Sequence, residues 1–226
     1  GSWREMIKTV TLTSNKTNFN LHSYVGSPSA AIAIIFNIAP NVVISSSGIT
    51  GGYRTTAFTV GNFPNGSSVL INNNGLIIGG GGAGGVGGQG ANNQGRQPAA
   101  GGNGGYGLVK GSSRSYDCTL VNTGTIAGGG GGGGGGSAGV QVSNVVGSGG
   151  RGGDGAGITG YSPTQGQPGR PGGCTTAPPI AGGGTSCGGK GGDGGSNGQA
   201  GKTSRASGGV GRPAINDSGI EMAVAG

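Results

Sequence analysis

Charged and aromatic residues are scarce in this sequence, at 8% and 4% of its 226 residues. A chain with so few large side chains cannot bury a conventional hydrophobic core along its whole length. It contains one histidine, His22, and no nucleophile elbow, phosphate-binding loop or cluster of metal ligands. The six acidic residues belong to no recognisable catalytic motif. We therefore expect no enzyme activity, no cofactor and no metal.

Long apolar runs and clusters of basic residues are also missing. The longest apolar stretch, residues 30–38, is too short to span a bilayer. The thirteen Lys and Arg residues give a net charge of +7, but no run of five or more occurs, which argues against a nucleic-acid-binding arm. A scattered basic surface instead suits weak attraction to an acidic partner, such as a lipopolysaccharide-coated or anionic membrane surface.

The N-terminal third has an ordinary, strand-like composition. Gly1 and Ser2 are typical of an expression scar, and residues 3–78 are predicted to form a small all-β module that serves for attachment. Polar and apolar residues alternate from Lys8 to Thr13, as in a half-buried strand. The five predicted strands, which suggest a small sandwich or an attachment module, cover residues 8–13, 31–38, 41–44, 55–60 and 68–71. No convincing α-helix is predicted.

Glycine supplies 63 residues, and most of them follow Gly79. There the other residues, such as Ala83, Val86 and Gln89, recur every third position. A period of three is that of the polyproline II helix, in which neighbouring backbones could bond to each other. Collagen needs longer unbroken tracts and more proline, and the period argues against disorder. Residues 79–226 are therefore predicted to form a bundle, or sandwich, of polyglycine/polyproline II helices.

An internal repeat gives two of these helices a direction. Residues 73–82 and 122–131 share the pattern Asn-x-Gly-x-Ile-x-Gly-Gly-Gly-Gly, each after a strand-like run. Both helices should leave the β-module in the same direction, and the helix between them should return. This alternation places loops 92–100, 137–147 and 174–187 at the far end of the bundle and the connection 158–165 at the near end.

The far loops contain the candidate receptor-binding residues. The first loop is polar, whereas the other two are apolar for loops, which is typical of partner recognition. Packing of these loops on one another as a cap is the alternative. The candidates are Asn92, Asn93, Arg96, Gln97, Val140, Gln141, Val142, Asn144, Thr175, Thr176, Pro178, Pro179 and Ile180.

The three cysteines leave the redox state open. Cys174 and Cys187 bracket one far loop and could form a disulfide worth roughly 3 kcal/mol. They could equally remain free thiols in a protein assembled in a reducing cytosol. Cys118 lies in a strand-like run, where we expect it to be a small buried residue.

The glycine tracts and the loops between them resemble the distal long-tail-fibre adhesins of T-even-type bacteriophages. The strand followed by Asn-x-Gly-x-Ile-x-Gly-Gly-Gly-Gly resembles the glycine-rich terminal domains of other phage tail fibre and tail-tip proteins. That resemblance covers residues 66–226 well and 3–65 more loosely. It implies a receptor-binding adhesin on the virion tail fibre or tail tip. In that family, loops at the bundle tip bind an outer-membrane protein or lipopolysaccharide of the host, and the N-terminal module joins the fibre.

The short glycine helices also resemble snow-flea antifreeze proteins, so an antifreeze or structural glycine-rich protein is the alternative function. Ice binding calls for a flat array of small residues, whereas Arg151, Lys190 and Asp193 are large or charged. A thermal-hysteresis assay would separate the two functions.

Overall fold

The computed structural model describes most of the chain: residues 7–46, 56–90, 94–139, 147–152, 156–159, 162–164, 168–177, 184–187, 189–193, 195, 199–200, 202–207, 212–216 and 219–223. These residues form seventeen strands and one helix, α1 (Leu21–Tyr24). The prediction of essentially no α-helix is confirmed, and the described chain is rich in strands. Within the described ranges, no helix has the length and apolar character needed to cross a membrane.

The first sheet is parallel throughout and has five strands. In spatial order these are β1 (Ile7–Leu12), β4 (Ala33–Ile38), β7 (Ser68–Asn73), β10 (Asp117–Asn122) and β17 (Glu221–Met222). Every second residue of β4 is buried because alternate side chains of a strand point to opposite faces. Phe36 of β4 is in register with Ile71 of β7, which is in register with Leu120 of β10.

Two further parallel sheets have four strands each. The second contains β2 (Lys16–Thr17), β5 (Val43–Ser45), β8 (Leu76–Ile78) and β11 (Thr125–Ala127). The third contains β3 (Phe19–Asn20), β6 (Phe58–Thr59), β9 (Leu108–Val109) and β16 (Ile215–Asn216). The remaining strands form two antiparallel hairpins: β12 (Gly157–Thr159) with β13 (Ser162–Thr164), and β14 (Cys174–Ala177) with β15 (Gly184–Cys187).

The three parallel sheets are the faces of one solenoid. The chain visits the first, second and third sheet in turn and then starts again one strand further along each. A single hydrophobic cluster takes residues from all three, among them Phe36, Ile77 and Leu108. The predicted small sandwich is therefore wrong. Alternating burial shows which side of a strand faces the core, but strand partners here come from successive turns of the solenoid.

The glycine-rich segments are insertions between turns of this solenoid. One lies between β8 and β9, and the other lies between β11 and β16. The sheets thus take strands from both sides of residue 78. The predicted division of the chain at that residue stays a prediction.

Candidate functional site

The two glycine tracts that follow the repeated motif leave the solenoid in the same direction. The N–H of Gly82 donates to the Gly130 carbonyl (2.8 Å), and that of Gly88 donates to Gly136 (2.9 Å). Because both bonds have the same offset in sequence, the tracts are parallel. The predicted common direction is confirmed, and it points away from the solenoid, which we call outward.

The corner of the solenoid, where the chain passes from the first sheet to the second, explains this direction. Asn73 is fully buried and donates from Nδ2 to Oδ1 of Asn122 in the next turn (2.7 Å). Its own Oδ1 accepts from the N–H of Gly75 (3.1 Å). A Cβ on Gly124 would collide with the Gly75 carbonyl, so the corner admits only glycine there. The two copies of Asn-x-Gly are therefore one corner repeated in adjacent turns.

The tract between these two returns to the solenoid, as predicted. The N–H of Gly102 donates to Ala83 (2.7 Å), and that of Gly105 donates to Gly80 (2.8 Å). One residue number rises as the other falls, so tract 99–107 is antiparallel to tract 79–88.

Later tracts continue the alternation. Tract 147–152 runs inward, since its Gly149 and Gly152 donate to Gly88 and Gly85 (both 2.8 Å). By the same criterion, 168–173 and the segment that contains Gln199 and Lys202 run outward, whereas 189–193 runs inward. Ala206 and Arg212 donate to Gly135 and Gly129 of the outward-running central tract, so 206–207 and 212–214 run inward as well. The hairpin β12–β13 lies near the solenoid, as expected for the connection 158–165, because Gly157 contacts Gly81 at the start of the first tract.

The nine consecutive glycines 128–136 form the central tract of the bundle. All nine are buried. Backbone hydrogen bonds join them to tracts 79–88, 99–107, 147–152 and 189–193, to the outward segment with Gln199 and Lys202, and to the inward segment with Ala206 and Arg212. A Cβ added at Gly128, Gly129 or any glycine from 132 to 136 would lie 1.8–2.1 Å from a backbone oxygen of a neighbouring tract, so these positions have no room for a side chain.

The outer tracts direct every third side chain away from the centre. Val86 is 40% exposed, and Lys190 is exposed as well. Asp193 accepts hydrogen bonds from the Gly169 N–H (2.9 Å), Lys202 Nζ (3.1 Å) and Lys190 Nζ (3.3 Å). These donors, the backbone N–H foremost, lower the pKa of Asp193 to about 2.

The first predicted loop begins at an isolated bridge between Gln89 and Arg96. Arg96 and Gln97 are exposed, and Nε of Arg96 donates to the Gly87 carbonyl (3.1 Å). Asn92 and Asn93 lie outside the described residues.

The second predicted loop is closed by a hydrogen bond from the Gly139 N–H to the Gly147 carbonyl (2.9 Å). That bond joins the end of the central tract to the start of an inward tract. The candidates Val140, Gln141, Val142 and Asn144 lie outside the described residues.

The third predicted loop is the hairpin β14–β15, closed by a disulfide between Cys174 and Cys187 (S–S 2.08 Å). Thr175 and Thr176 belong to β14 and are in register with residues of β15. Pro178, Pro179 and Ile180 lie outside the described residues. Cys118, by contrast, is free and buried in β10, and burial raises its pKa to about 11.

All three loops start from one layer of hydrogen bonds, which we call the rim. Gly149 donates to Gly88 (2.8 Å), Gly173 to Ser148 (2.8 Å), and Gly189 to Ser137 (2.8 Å). The rim therefore brings together the described roots of loops that are distant in sequence, at the end opposite to the solenoid.

Two features were missed at the sequence level. The chain also reverses direction between Lys202 and Ala206, since both are hydrogen-bonded at the level of Gly134 and Gly135, and Arg212 then follows on the inward tract at the level of Gly129. The second feature is a group of positively charged side chains near the rim. It could not be recognised in the sequence because these residues are scattered along the chain. In the part of the chain that the structure describes, no group of three or more His, Cys, Asp or Glu could hold a metal.

Comparison with known proteins gives one family. The family model described as phage tail fibre adhesin Gp38 matches residues 7–226. Among solved structures, the gp37-gp38 adhesin tip complex of the bacteriophage S16 long tail fiber is 21% identical, with a TM-score of 0.49. That match covers 98% of this chain and 79% of the other. No curated protein matches.

Proposed function

Because the chain belongs to the family of phage tail fibre adhesins Gp38, we propose that it binds a bacterial outer-membrane receptor through loops 92–100, 137–147 and 174–187. The family is one of adhesins rather than enzymes, and it places the chain on the tail fibre of the virion. The receptor in this proposal is an outer-membrane protein or lipopolysaccharide.

The shared rim carries the proposal. Its hydrogen bonds set the roots of three loops side by side, although the loops are separated by dozens of residues in sequence. Loops are where binding residues concentrate when a rigid scaffold positions them. The polar first loop and the two apolar loops together offer hydrogen-bonding groups and apolar surface to one partner.

The scaffold in this proposal consists of polyglycine helices of the polyproline II type. A hydrogen bond recurs at every third residue between tracts 79–88 and 128–136, which fits three residues per turn. Such helices have no internal hydrogen bonds, so the bonds between tracts would satisfy the backbone. A rigid scaffold reduces the entropy that the loops lose on binding.

The opposite end of the molecule suits attachment to the fibre. β1, β2 and β3 each form the outer edge of a sheet, and all belong to the first turn of the solenoid. Edge strands offer backbone donors and acceptors to another chain. We assign the predicted attachment module, residues 3–78, to this role, with the tail fibre as its partner.

Loop exchange tests the proposal. The three far loops would be exchanged with those of a family member from a phage with a different host range, and adsorption to both hosts would be measured. We expect host range to follow the loops.

Exchange of the near-end connection 158–165 serves as the matched control and should leave host range unchanged. A folded three-loop chimera that keeps its original host range would contradict the assignment. Transfer of host range by the control connection would contradict it equally.

A further inference from the structure

The lysines of the glycine bundle lie at one level along its length. Gly134 of the central tract donates from its N–H to the Lys202 carbonyl (3.0 Å). The Lys190 carbonyl lies against Gly136 of the same tract. Both lysines therefore stand beside the last glycines before the rim.

Two arginines share this level on the neighbouring tracts. The Gly150 carbonyl accepts from the N–H of Gly136 (2.9 Å), and Arg151 follows Gly150 directly. The Arg170 N–H in turn donates to the Arg151 carbonyl (2.8 Å). The two arginines are thus side by side, just below the rim.

Two more arginines complete the set. Arg205 precedes Ala206, whose N–H donates to Gly135 (3.1 Å), and Arg96 reaches the carbonyl of Gly87 through Nε. We call the six cations the basic collar, and its members are Arg96, Arg151, Arg170, Lys190, Lys202 and Arg205.

The described residues provide the collar with one countercharge. Among the described residues of the bundle, Asp193 is the one acidic side chain, and it pairs with Lys190 and Lys202. Arg170 and Arg205 are exposed, and no ion pair joins either of them to a described carboxylate.

Contacts within the bundle account for four of the cations, since Arg96 and Arg151 donate to backbone carbonyls and the two lysines pair with Asp193. No contact with the described residues accounts for Arg170 or Arg205. The tracts are held together by backbone hydrogen bonds, and grouped like charges repel one another. Only 8% of the chain is charged, yet six cations surround one end of the bundle. Arg212, at the end near the solenoid, lies over the Tyr106 ring instead (5.4 Å).

We propose that the basic collar is an electrostatic docking surface for phosphate groups of the host's outer glycolipid. The collar attracts this polyanionic surface and turns the bundle so that the far loops approach first. The inference rests on the proposed function, since it requires the far end to face the host. The glycolipid phosphates would be a second partner, bound by the collar and not by the loops.

The test compares two double variants that each remove two positive charges. Arg170→Gln with Arg205→Gln alters exposed collar residues, and Lys8→Gln with Arg114→Gln alters exposed residues of the solenoid. Binding would be measured on phosphatidylcholine vesicles that carry host lipopolysaccharide, either phosphorylated or enzymatically dephosphorylated, at low and high salt. Thermal unfolding of each variant checks the fold.

We expect the collar variant to bind phosphorylated vesicles about tenfold more weakly at low salt, and the solenoid variant to change less than about twofold. The difference should vanish at high salt and on dephosphorylated vesicles. Equal losses in both variants would overturn the proposal, as would no loss, or a loss that persists without phosphate. If loop exchange still transfers host range in that case, the collar alone is refuted and the receptor-binding loops stand.

Discussion

At the scale of the residue, the central tract requires glycine for a steric reason. A Cβ on Gly132 would collide with the Ala83 carbonyl, and one on Gly135 would collide with that of Val86. The obstacles are backbone atoms, which are themselves hydrogen-bonded and cannot move aside independently. The central tract consists of glycine because neighbouring segments surround it on six sides. The outer tracts have an open side and keep one larger residue in three.

A single added carbon tests this packing. We expect Gly132→Ala to lower the free energy of unfolding by at least about 2 kcal/mol, because overpacking outweighs the gain from a less flexible unfolded chain. Ala100→Ser also adds one heavy atom, but at an exposed position, and should change stability by less than about 0.5 kcal/mol. Denaturant unfolding measures both. Equal stability of the two variants would show that the central tract is less closely packed than the structure describes.

At the scale of the element, the third far loop depends on its covalent link. The hairpin β14–β15 has four residue pairs, and an isolated two-stranded hairpin is marginally stable in water. The disulfide joins its first pair, Cys174 and Cys187, next to the rim. The spacing of the cysteines allowed this bridge but could not decide between a disulfide and free thiols.

Removal of the bridge should loosen the hairpin and leave the solenoid intact. For Cys174→Ser with Cys187→Ser, we expect amide hydrogen exchange of β14 and β15 to accelerate about a hundredfold, from the loop-closure entropy of a disulfide with this separation. The amides of β7 and β10, measured in the same experiment, provide the control. Unchanged exchange in the hairpin would mean that its rim contacts suffice without the bridge.

At the scale of the whole molecule, the sequence allowed some features to be predicted and hid others. The period of three and the repeated Asn-x-Gly motif led to the alternating directions of the first three tracts, because both depend on local backbone geometry. The solenoid was hidden, because β9 and β16 are two residues long and too short to show periodicity. Its turns also have unequal lengths, since glycine tracts interrupt them.

The same long-range pairing explains why the rim and the collar could not be predicted in full. The directions of the tracts place three loops at one end, but the collar depends on the register between tracts. Arg96 and Arg205 are more than a hundred residues apart, and hydrogen bonds of the bundle bring both to the rim. The solenoid lies at one end of the molecule and the far loops at the other, and the proposed function assigns attachment to the first end and receptor binding to the second.

The most direct test of this polarity is a hydrogen-exchange footprint of the protein bound to outer-membrane vesicles from its host. We predict slower exchange in the far loops, above all in 94–98 and 174–187, and no change in β1, β4 or β7. Vesicles from a strain that the phage does not infect should produce no such protection. Protection of the solenoid strands, with the far loops unchanged, would contradict the claim that the far end binds the host.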